Sequence, residues 1–447
     1  MTKMTARGRL GSRFLSEYGM ILVLLILCVY FSLSTIQEQY PEGEAAADDV
    51  SQSIFSLVDK KSSVLIAGKN TSEERAFVEN LKIRLNSEGY TSVLTVAGDP
   101  AAVRKKMEEA AAEGKTIGAI ASTESYSKII KRMGAGITGL ADTAVIAPRS
   151  YSWPTFLLPA NLMNIANQIV VIAVIAIGMT MVIITGGIDL SVGSLVAFSA
   201  VLAAWFVQRF GGTEAGFLSM AGASLLAVFF CGAVGAFSGV MVTKFKLPPF
   251  IATLGVMQVA SGLAYIISEG KPIYKFPDSF TALGRGTEPF FSIPYAVILM
   301  IVLYIIAYIL MSRTVIGRYI YAVGGNEEAA RLSGISVGRI LIFVYIASGV
   351  MAGLGGVITA SQLKSGAPTY GLSYELYVIA AVVVGGTSLS GGEGKILGTL
   401  IGAFIIAVIQ NGMNLMNVES YTQKVILGGV IILAVLLDRL KQKHIKG

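Results

Sequence analysis

Histidine is almost missing from this chain. One residue of 447, His444, carries an imidazole, which sets aside histidine-based acid–base catalysis and ordinary zinc sites. Cysteine occurs twice, at Cys28 and Cys231, each inside an apolar run. The pair reads as small buried residues rather than a disulfide or metal ligands, so no metal site is expected. Charge is also scarce. Asp, Glu, Lys and Arg make up 14% of residues against 54% hydrophobic, where a soluble domain carries about 25% charged residues. With 50 glycines and a mean hydropathy of +0.68, this is the balance of a polytopic membrane protein.

The net charge of +7 is unevenly spread. Residues 37–150 hold 14 Lys/Arg against 16 Asp/Glu, and the remainder 21 against 12. A basic excess confined to membrane loops marks topology, not nucleic-acid binding. Residues 18–36, YGMILVLLILCVYFSLSTI, supply 19 nearly uncharged positions, enough to cross about 30 Å of hydrocarbon. Lys3, Arg7, Arg9 and Arg13 precede them, which puts the N-terminus in the cytoplasm. The run is long for a signal-peptide core and no convincing cleavage site follows directly, so it is read as an uncleaved first span.

From residue 156 the chain is almost continuously apolar. Further spans are expected near 161–184, 194–208, 217–242, 250–268, 294–312, 340–361, 374–387, 396–416 and 422–438. Ten spans with both termini inside put 15 Lys/Arg in cytoplasmic tails and loops and only 6 in, or at the edge of, the short outer loops, in line with the positive-inside rule. The two shortest spans stay open as broken or re-entrant segments. The expected fold is an all-α polytopic membrane protein of about ten transmembrane helices with a small α/β insert. The expected divisions are 1–36, the cytoplasmic N-terminus and first span; 37–150, the insert; and 151–447, the core domain.

The insert reads as alternating elements. SSVLIAG (62–68), TSVLTVAG (91–98) and TIGAIAS (116–122) are predicted strands. SEERAFVENLKIRLNSEG (72–89), PAAVRKKMEEAAAEG (100–114) and ESYSKIIKRMG (124–134) are predicted helices, the second opening on Pro and closing on Gly114. This spacing is that of a parallel βαβαβ unit. If the first span runs outward, the unit is extracytoplasmic.

Residues 385–398, GGTSLSGGEGKILG, contain Leu389-Ser390-Gly391-Gly392-Glu393, which reads like the signature by which cassette ATPases hold a γ-phosphate. A nucleotide cassette also needs a Gly-rich loop ending in Gly-Lys-Ser/Thr. Here Gly394-Lys395 runs into Ile396 and the position five before Gly394 is Leu389, so the chain is not expected to be an ATPase or any other enzyme, and no bound cofactor is expected. The stretch does echo an earlier one. Gly186-Gly187-Ile188-Asp189-Leu190-Ser191-Val192-Gly193 and Gly385-Gly386-Thr387-Ser388-Leu389-Ser390-Gly391-Gly392 share the pattern GGxxLSxG, each after an apolar span. Transporters are often built from such repeats, with helix breaks near the path. The glycines Gly186, Gly187, Gly193, Gly385, Gly386, Gly391 and Gly392 are candidate breaks, or ordinary tight turns between packed spans.

Between two spans, in a loop expected at 313–339, Gly324-Gly325 frees the chain, Asn326 suits an N-cap and Glu327 and Glu328 favour a helix's positive end. Ala329, Ala330, Arg331 and Leu332 continue the helix and Gly334 stops it. So short a helix is unstable alone and should dock against something.

At these residues the sequence resembles the permease subunits of bacterial ABC importers for simple sugars, the ribose/xylose/galactoside group. The likeness is carried by GGIDLSVGSL, PPFIATLG, GRYIYAVGGNEEAARLSGI, AAVVVGGTSLSGGEGKILGTLIGA and ILAVLLDRLKQK, and covers residues 1–36 and about 150–447. The resemblance implies a plasma-membrane permease that pairs with a second copy and receives sugar from a soluble binding protein. It implies that residues 326–334 form a coupling helix held by a cleft in a separate ATPase, which uses the ATP. The insert at 37–150 departs from the family, which has a short loop there. It is similar in pattern to half a lobe of a periplasmic sugar-binding protein. Docking the soluble receptor, sensing a ligand and capping the outer mouth are all open to it.

Asp189 lies where it can border the path or order the helix that opens at Ser191. Asn161, Asn164 and Asn167 recur at helical spacing, as do Asn411, Asn414 and Asn417. Asn161, Asn164, Asn411 and Asn414 are path candidates, because amides donate and accept as sugar hydroxyls require; they equally glue membrane helices together. Tyr374 and Glu375 sit at a helix start, and Lys244, Lys246, Arg313 and Arg318 anchor topology. The rival classes are an ion-coupled secondary transporter and a ligand-sensing membrane receptor. The first usually shows several mid-membrane ionisable residues, where Asp189 is nearly alone. The second needs an output domain, which is not read after residue 438. Neither explains the helix at 326–334.

Overall fold

The computed structural model describes residues 6–112, 116–274 and 276–446, with side chains described from 19 to 436 within those limits. Lys3 and Gly114 lie outside the described residues, and Arg7, Arg9, Arg13 and His444 outside the described side chains. The chain divides into two compact units, Ile36–Thr155 and a larger one made of Met1–Thr35 and Phe156–Gly447.

Helix α1 (Ala6–Ser34) belongs to the larger unit. The smaller unit then runs β1 (Ile36–Gln39), α2 (Gly43–Leu57), β2 (Ser63–Gly68), α3 (Ser72–Ser87), β3 (Val93–Ala97), α4 (Pro100–Ala112), β4 (Ile117–Ser122), α5 (Glu124–Gly134), β5 (Ala144–Ile146) and β6 (Tyr151–Pro154). Strands β1 and β6 pair antiparallel, Ile36 facing Pro154 and Gln39 facing Tyr151, which zips the two ends of the unit side by side. Strands β2 to β5 form a parallel sheet in the order β3-β2-β4-β5. Parallel neighbours need crossovers, and here these are helices that cover both faces.

Alternation along β2 sorts the two cores. Val64 and Ile66 meet Val50, Phe77 and Leu81 from α2 and α3. Leu65 and Ala67 meet Val103, Met107 and Ile130 from α4 and α5. Helix α2 and strand β5 were not part of the sequence expectation. The buried face of α2 includes Ala46, Ala47, Val50 and Ile54, and alanines give a weak periodic signal; β5 is three residues long.

The larger unit continues with α6 (Pro159–Ile184), α7 (Val192–Arg209), α8 (Phe217–Thr243), α9 (Pro249–Ile267), α10 (Ala282–Arg285), α11 (Tyr295–Arg313), α12 (Val315–Gly325), α13 (Glu327–Leu332), α14 (Val337–Leu363), α15 (Tyr374–Val384), α16 (Ile396–Leu415) and α17 (Ser420–Lys446). Among the described residues α6, α7, α8, α9, α11, α14 and α16 are long and apolar enough to cross a membrane, and Gly19–Ser34, Tyr374–Val384 and Ser420–Leu436 are shorter apolar helices. This is a mostly helical polytopic membrane body. Helix α6 is apolar all round, the pattern of a helix surrounded by protein, and every residue from Ile169 to Ile184 is buried. About two thirds of the apolar stretch of α8, α9 and α11 stays unburied.

Helices α8 and α14 approach backbone to backbone. A Cβ at Gly235 would lie 2.2 Å from Tyr345 O, and one at Gly349 2.3 Å from Cys231 O. Small residues permit such packing between membrane helices. Cys231 is buried as expected, but Cys28 is only partly covered, because α1 leaves Leu25, Ile26 and Val29 exposed.

Candidate functional site

Both glycine stretches end a helix in the same way. After α6, Gly186 turns left-handed at φ 79° and Gly187 N donates to Val182 O at 3.0 Å. After α15, Gly386 does so at φ 83° and Thr387 N donates to Val382 O at 3.1 Å. These are helix stops that satisfy the last free carbonyls. The echo of letters pairs Gly186 with Gly385, whereas the backbone pairs it with Gly386. The stretches then diverge. Helix α7 opens at Val192, so Gly193 lies in its first turn and is not a break. Gly391 and Gly392 make a second left-handed turn, at φ 82° and 77°, before α16 opens at Ile396.

The two stretches also meet. Gly392 N donates to Ile184 O at 2.8 Å, joining the loop after α15 to the last residue of α6. Helix α12 lies on this junction. A Cβ at Gly324 would stand 1.7 Å from Ile184 O and 2.8 Å from Gly392 N, and one at Gly391 2.8 Å from Gly324 O. Tyr321 Oη donates to Gly394 O at 2.8 Å. Gly324 is therefore helical and needed for close approach, not for freeing the chain as its sequence context suggests.

Two residues past Gly324, Asn326 caps α13: its Oδ1 accepts from Ala329 N at 2.9 Å. Glu327 and Glu328 occupy the first turn, Glu328 pairs with Arg331 at 2.5 Å, and Gly334 ends the turn at φ 83°. Ala330 is the buried residue of this helix. Glu327, Glu328, Ala329, Arg331 and Leu332 are exposed, Leu332 at 82%.

Asp189 is buried in the loop between α6 and α7. Its Oδ1 accepts from Ser191 N at 2.9 Å and from Ser191 Oγ at 2.6 Å, and its Oδ2 accepts from Ser348 Oγ of α14 at 2.7 Å. Asp189 thus orders the entry to α7, whose N-cap is Ser191, and ties it to α14. Thr253 of α9 accepts from Leu190 N at 3.1 Å, so α9 and α14 both hold the loop. A carboxylate withdrawn from water needs this full set of donors. Beside the loop opens a cavity of about 770 Å³ whose lining includes Gly186, Gly187, Lys246, Pro249, Arg331 and Tyr345. It is bounded on one wall by the loop that carries Asp189 and on another by α13.

The asparagines separate into two groups. Asn161 Nδ2 donates to Asn411 Oδ1 at 3.1 Å and Asn411 Nδ2 returns the bond to Asn161 Oδ1 at 2.8 Å. Asn161 Nδ2 also donates to Phe156 O at 2.9 Å. Together with Thr180 and Thr399, 2.8 Å apart, this pair stitches α6 to α16. Asn164 and Asn414 are exposed and not part of it; Asn414 accepts from Gln423 at 2.8 Å. Among the described residues no group of three or more His, Cys, Asp or Glu is placed to hold a metal ion. The sequence reading passed over Thr253, Tyr345 and Ser348. Their signal was polarity inside apolar runs, with Tyr345 and Ser348 at i, i+3 on one face.

A polytopic helical body in which span ends, a polar loop, a cavity and a short surface helix converge is the build of a transporter's membrane component. Residues 161–435 match the family described as branched-chain amino acid transport system / permease component, and the chain belongs to that permease family. It is 45% identical over 290 residues to the ribose import permease protein of Bacillus subtilis (strain 168), covering 64% of this chain and 87% of that protein. It is 44% identical over 307 residues to the ribose import permease protein of Escherichia coli (strain K12), covering 68% and 93%. The D-allose transport system permease protein of the same strain is 38% identical over 288 residues, covering 64% and 86%. No solved structure matches the chain.

Proposed function

We propose that this chain is the membrane-spanning subunit of an ATP-binding cassette importer and forms the path of a simple sugar across a bacterial plasma membrane. The observation that carries the reading is the 38–45% identity to ribose and allose permeases over 86–93% of their length. The family description speaks of branched-chain amino acids, but those relatives are named for sugars. None of the relatives given above is named as an ion-coupled carrier or a receptor.

In this reading ATP is bound and hydrolysed by a separate ATPase subunit, whose cleft receives Asn326 to Gly334. Its closure moves α13 and α12 together, and α12 passes the motion through backbone contact to the end of α6 and the loop before α16. The chain has ten spans with both termini cytoplasmic and works with a second copy, and a soluble sugar-binding protein delivers substrate. Residues 37–150 stand outside the membrane as a docking module or cap.

Purification of the tagged chain from its native membrane in mild detergent, followed by mass spectrometry, tests this. The wild type is expected to bring an ABC ATPase with it, and Glu328→Lys and Gly334→Arg to lose it. If crosslinked wild type brings none, the importer reading fails.

A further inference from the structure

Five tyrosines in this protein are instructive together. Tyr90, Tyr126, Tyr304 and Tyr321 each donate their hydroxyl to a backbone carbonyl: Val58 O at 2.9 Å, Gly98 O at 3.3 Å, Ala173 O at 2.9 Å and Gly394 O at 2.8 Å. Tyr345 is the exception. Its side chain is 1% exposed, and among the described side chains its hydroxyl is buried with no hydrogen-bond partner. Leaving such a group unpaired costs about 1–3 kcal/mol, so it calls for a specific account.

Three observations say where the missing partner belongs. Tyr345 lines the cavity of about 770 Å³, within the ~300–1,000 Å³ range of small-molecule sites. Gly187 lies against the hydroxyl and carries no side chain to fill the space beside it: a Cβ there would stand 2.7 Å from Tyr345 Oη. Ser348, one turn further along α14, is already engaged by Asp189, which leaves the Tyr345 hydroxyl as the unpaired polar atom of the two. The charged groups of the lining, Lys246, Arg331, Arg339 and Glu327, are all exposed to solvent. The deep contact is therefore made by a neutral donor–acceptor, which matches a neutral polyhydroxylated molecule.

We propose that Tyr345 contacts the transported molecule at the inner end of the path, its hydroxyl bonding a hydroxyl of a neutral polyol held in this cavity. The proposal rests on the transport reading above and adds to it a residue and a place. Because Glu327 and Arg331 of α13 share the cavity wall, a shift of that helix changes the chamber in which Tyr345 works.

The test is uptake of radiolabelled D-ribose, L-arabinose and D-allose by the full transporter in a host lacking its own importers for them. Tyr345→Phe keeps the ring and removes one oxygen. Its maximal rate is expected to fall about five- to tenfold, the factor a single hydrogen bond is worth, with the half-saturating concentration unchanged because the soluble receptor makes the first capture. A second arm uses a Cys28→Ala, Cys231→Ala background. In it Tyr345→Cys should react with an impermeant thiol reagent in inside-out vesicles, at least threefold more slowly with saturating D-ribose. Wild type that carries sugar while Y345F matches it overturns the proposal alone and leaves a water-satisfied phenol. Wild type that carries none of the three overturns the sugar reading and the proposal with it. If Y345F fails to assemble, the cysteine arm decides, and no protection of Y345C by any of the three sugars overturns the proposal.

Discussion

Replacing Gly324 by alanine sets a methyl carbon 1.7 Å from Ile184 O and 2.8 Å from Gly392 N. A carbon and a carbonyl oxygen rest at roughly 3.2 Å, so one side must move by about 1.5 Å, and overpacking of this kind costs about 1–3 kcal/mol. Both obstructing atoms are backbone and cannot swing aside. The movement also breaks the 2.8 Å bond from Gly392 N to Ile184 O, which adds about 1 kcal/mol. Against this stands the better helix propensity of alanine, at most about 1 kcal/mol. The balance is a loss of about 1–3 kcal/mol, concentrated where α12 meets α6. Gly325 is the internal control: a Cβ there meets nothing within 4 Å, so Gly325→Ala should be neutral or slightly stabilising. The assay is the thermal unfolding midpoint of each variant in nanodiscs, paired with sugar uptake. Gly324→Ala should lower both and Gly325→Ala neither. Equal behaviour of the two variants would refute the claim that Gly324 is there for close approach.

Three further outcomes follow from the same contacts. In a double-mutant cycle, Asn161→Ala and Asn411→Ala should each destabilise the unfolding midpoint, and the pair together by less than their sum, with a coupling of about 0.6–1.7 kcal/mol as for polar pairs in membranes; additive losses would mean that the reciprocal bond contributes nothing. Ser348→Ala removes one of the three donors to a buried carboxylate and should cost about 1–3 kcal/mol, while Ser348→Thr should recover part of it in the same melt. Leu332→Asp and Asn326→Ala should both reduce ATPase recovery in pull-downs without lowering the melting point of the isolated chain by more than about 1 kcal/mol equivalent.

The positions of the seven long apolar helices, the cap at Asn326 and the strand–helix alternation of 62–134 could be read because each depends on short-range pattern: apolar length, a capping side chain before a helix, strand and helix runs between glycines. What could not be read depends on which parts of the chain meet. Nothing local marks Ile184 as the neighbour of Gly324 and Gly392, since the contact is made by backbone atoms that every residue carries. Tyr345 and Ser348 were visible as polar residues in a span, but which of them would be left unpaired follows from where Asp189 falls. The letter echo GGxxLSxG points to related helix stops and misleads by one residue about their register, because a left-handed turn can be taken at either member of a Gly-Gly pair.

The use of glycine at the junction has a mechanical consequence. A contact between side chains can absorb a displacement of an ångström by changing rotamer, at a cost of about 1 kcal/mol. A contact of Gly324 with Ile184 O and Gly392 N has no rotamer to change. A displacement of α12 must therefore break the contact or be passed on to α6 and the loop before α16. Helix α13 is joined to α12 through Asn326 alone and is held by one buried alanine. Force entering at its exposed face thus has a short and stiff route to the loop beside Asp189. On this argument coupling should be more sensitive to a single added methyl at Gly324 than to loss of any one side chain on α13, an ordering that uptake per ATP hydrolysed measures directly.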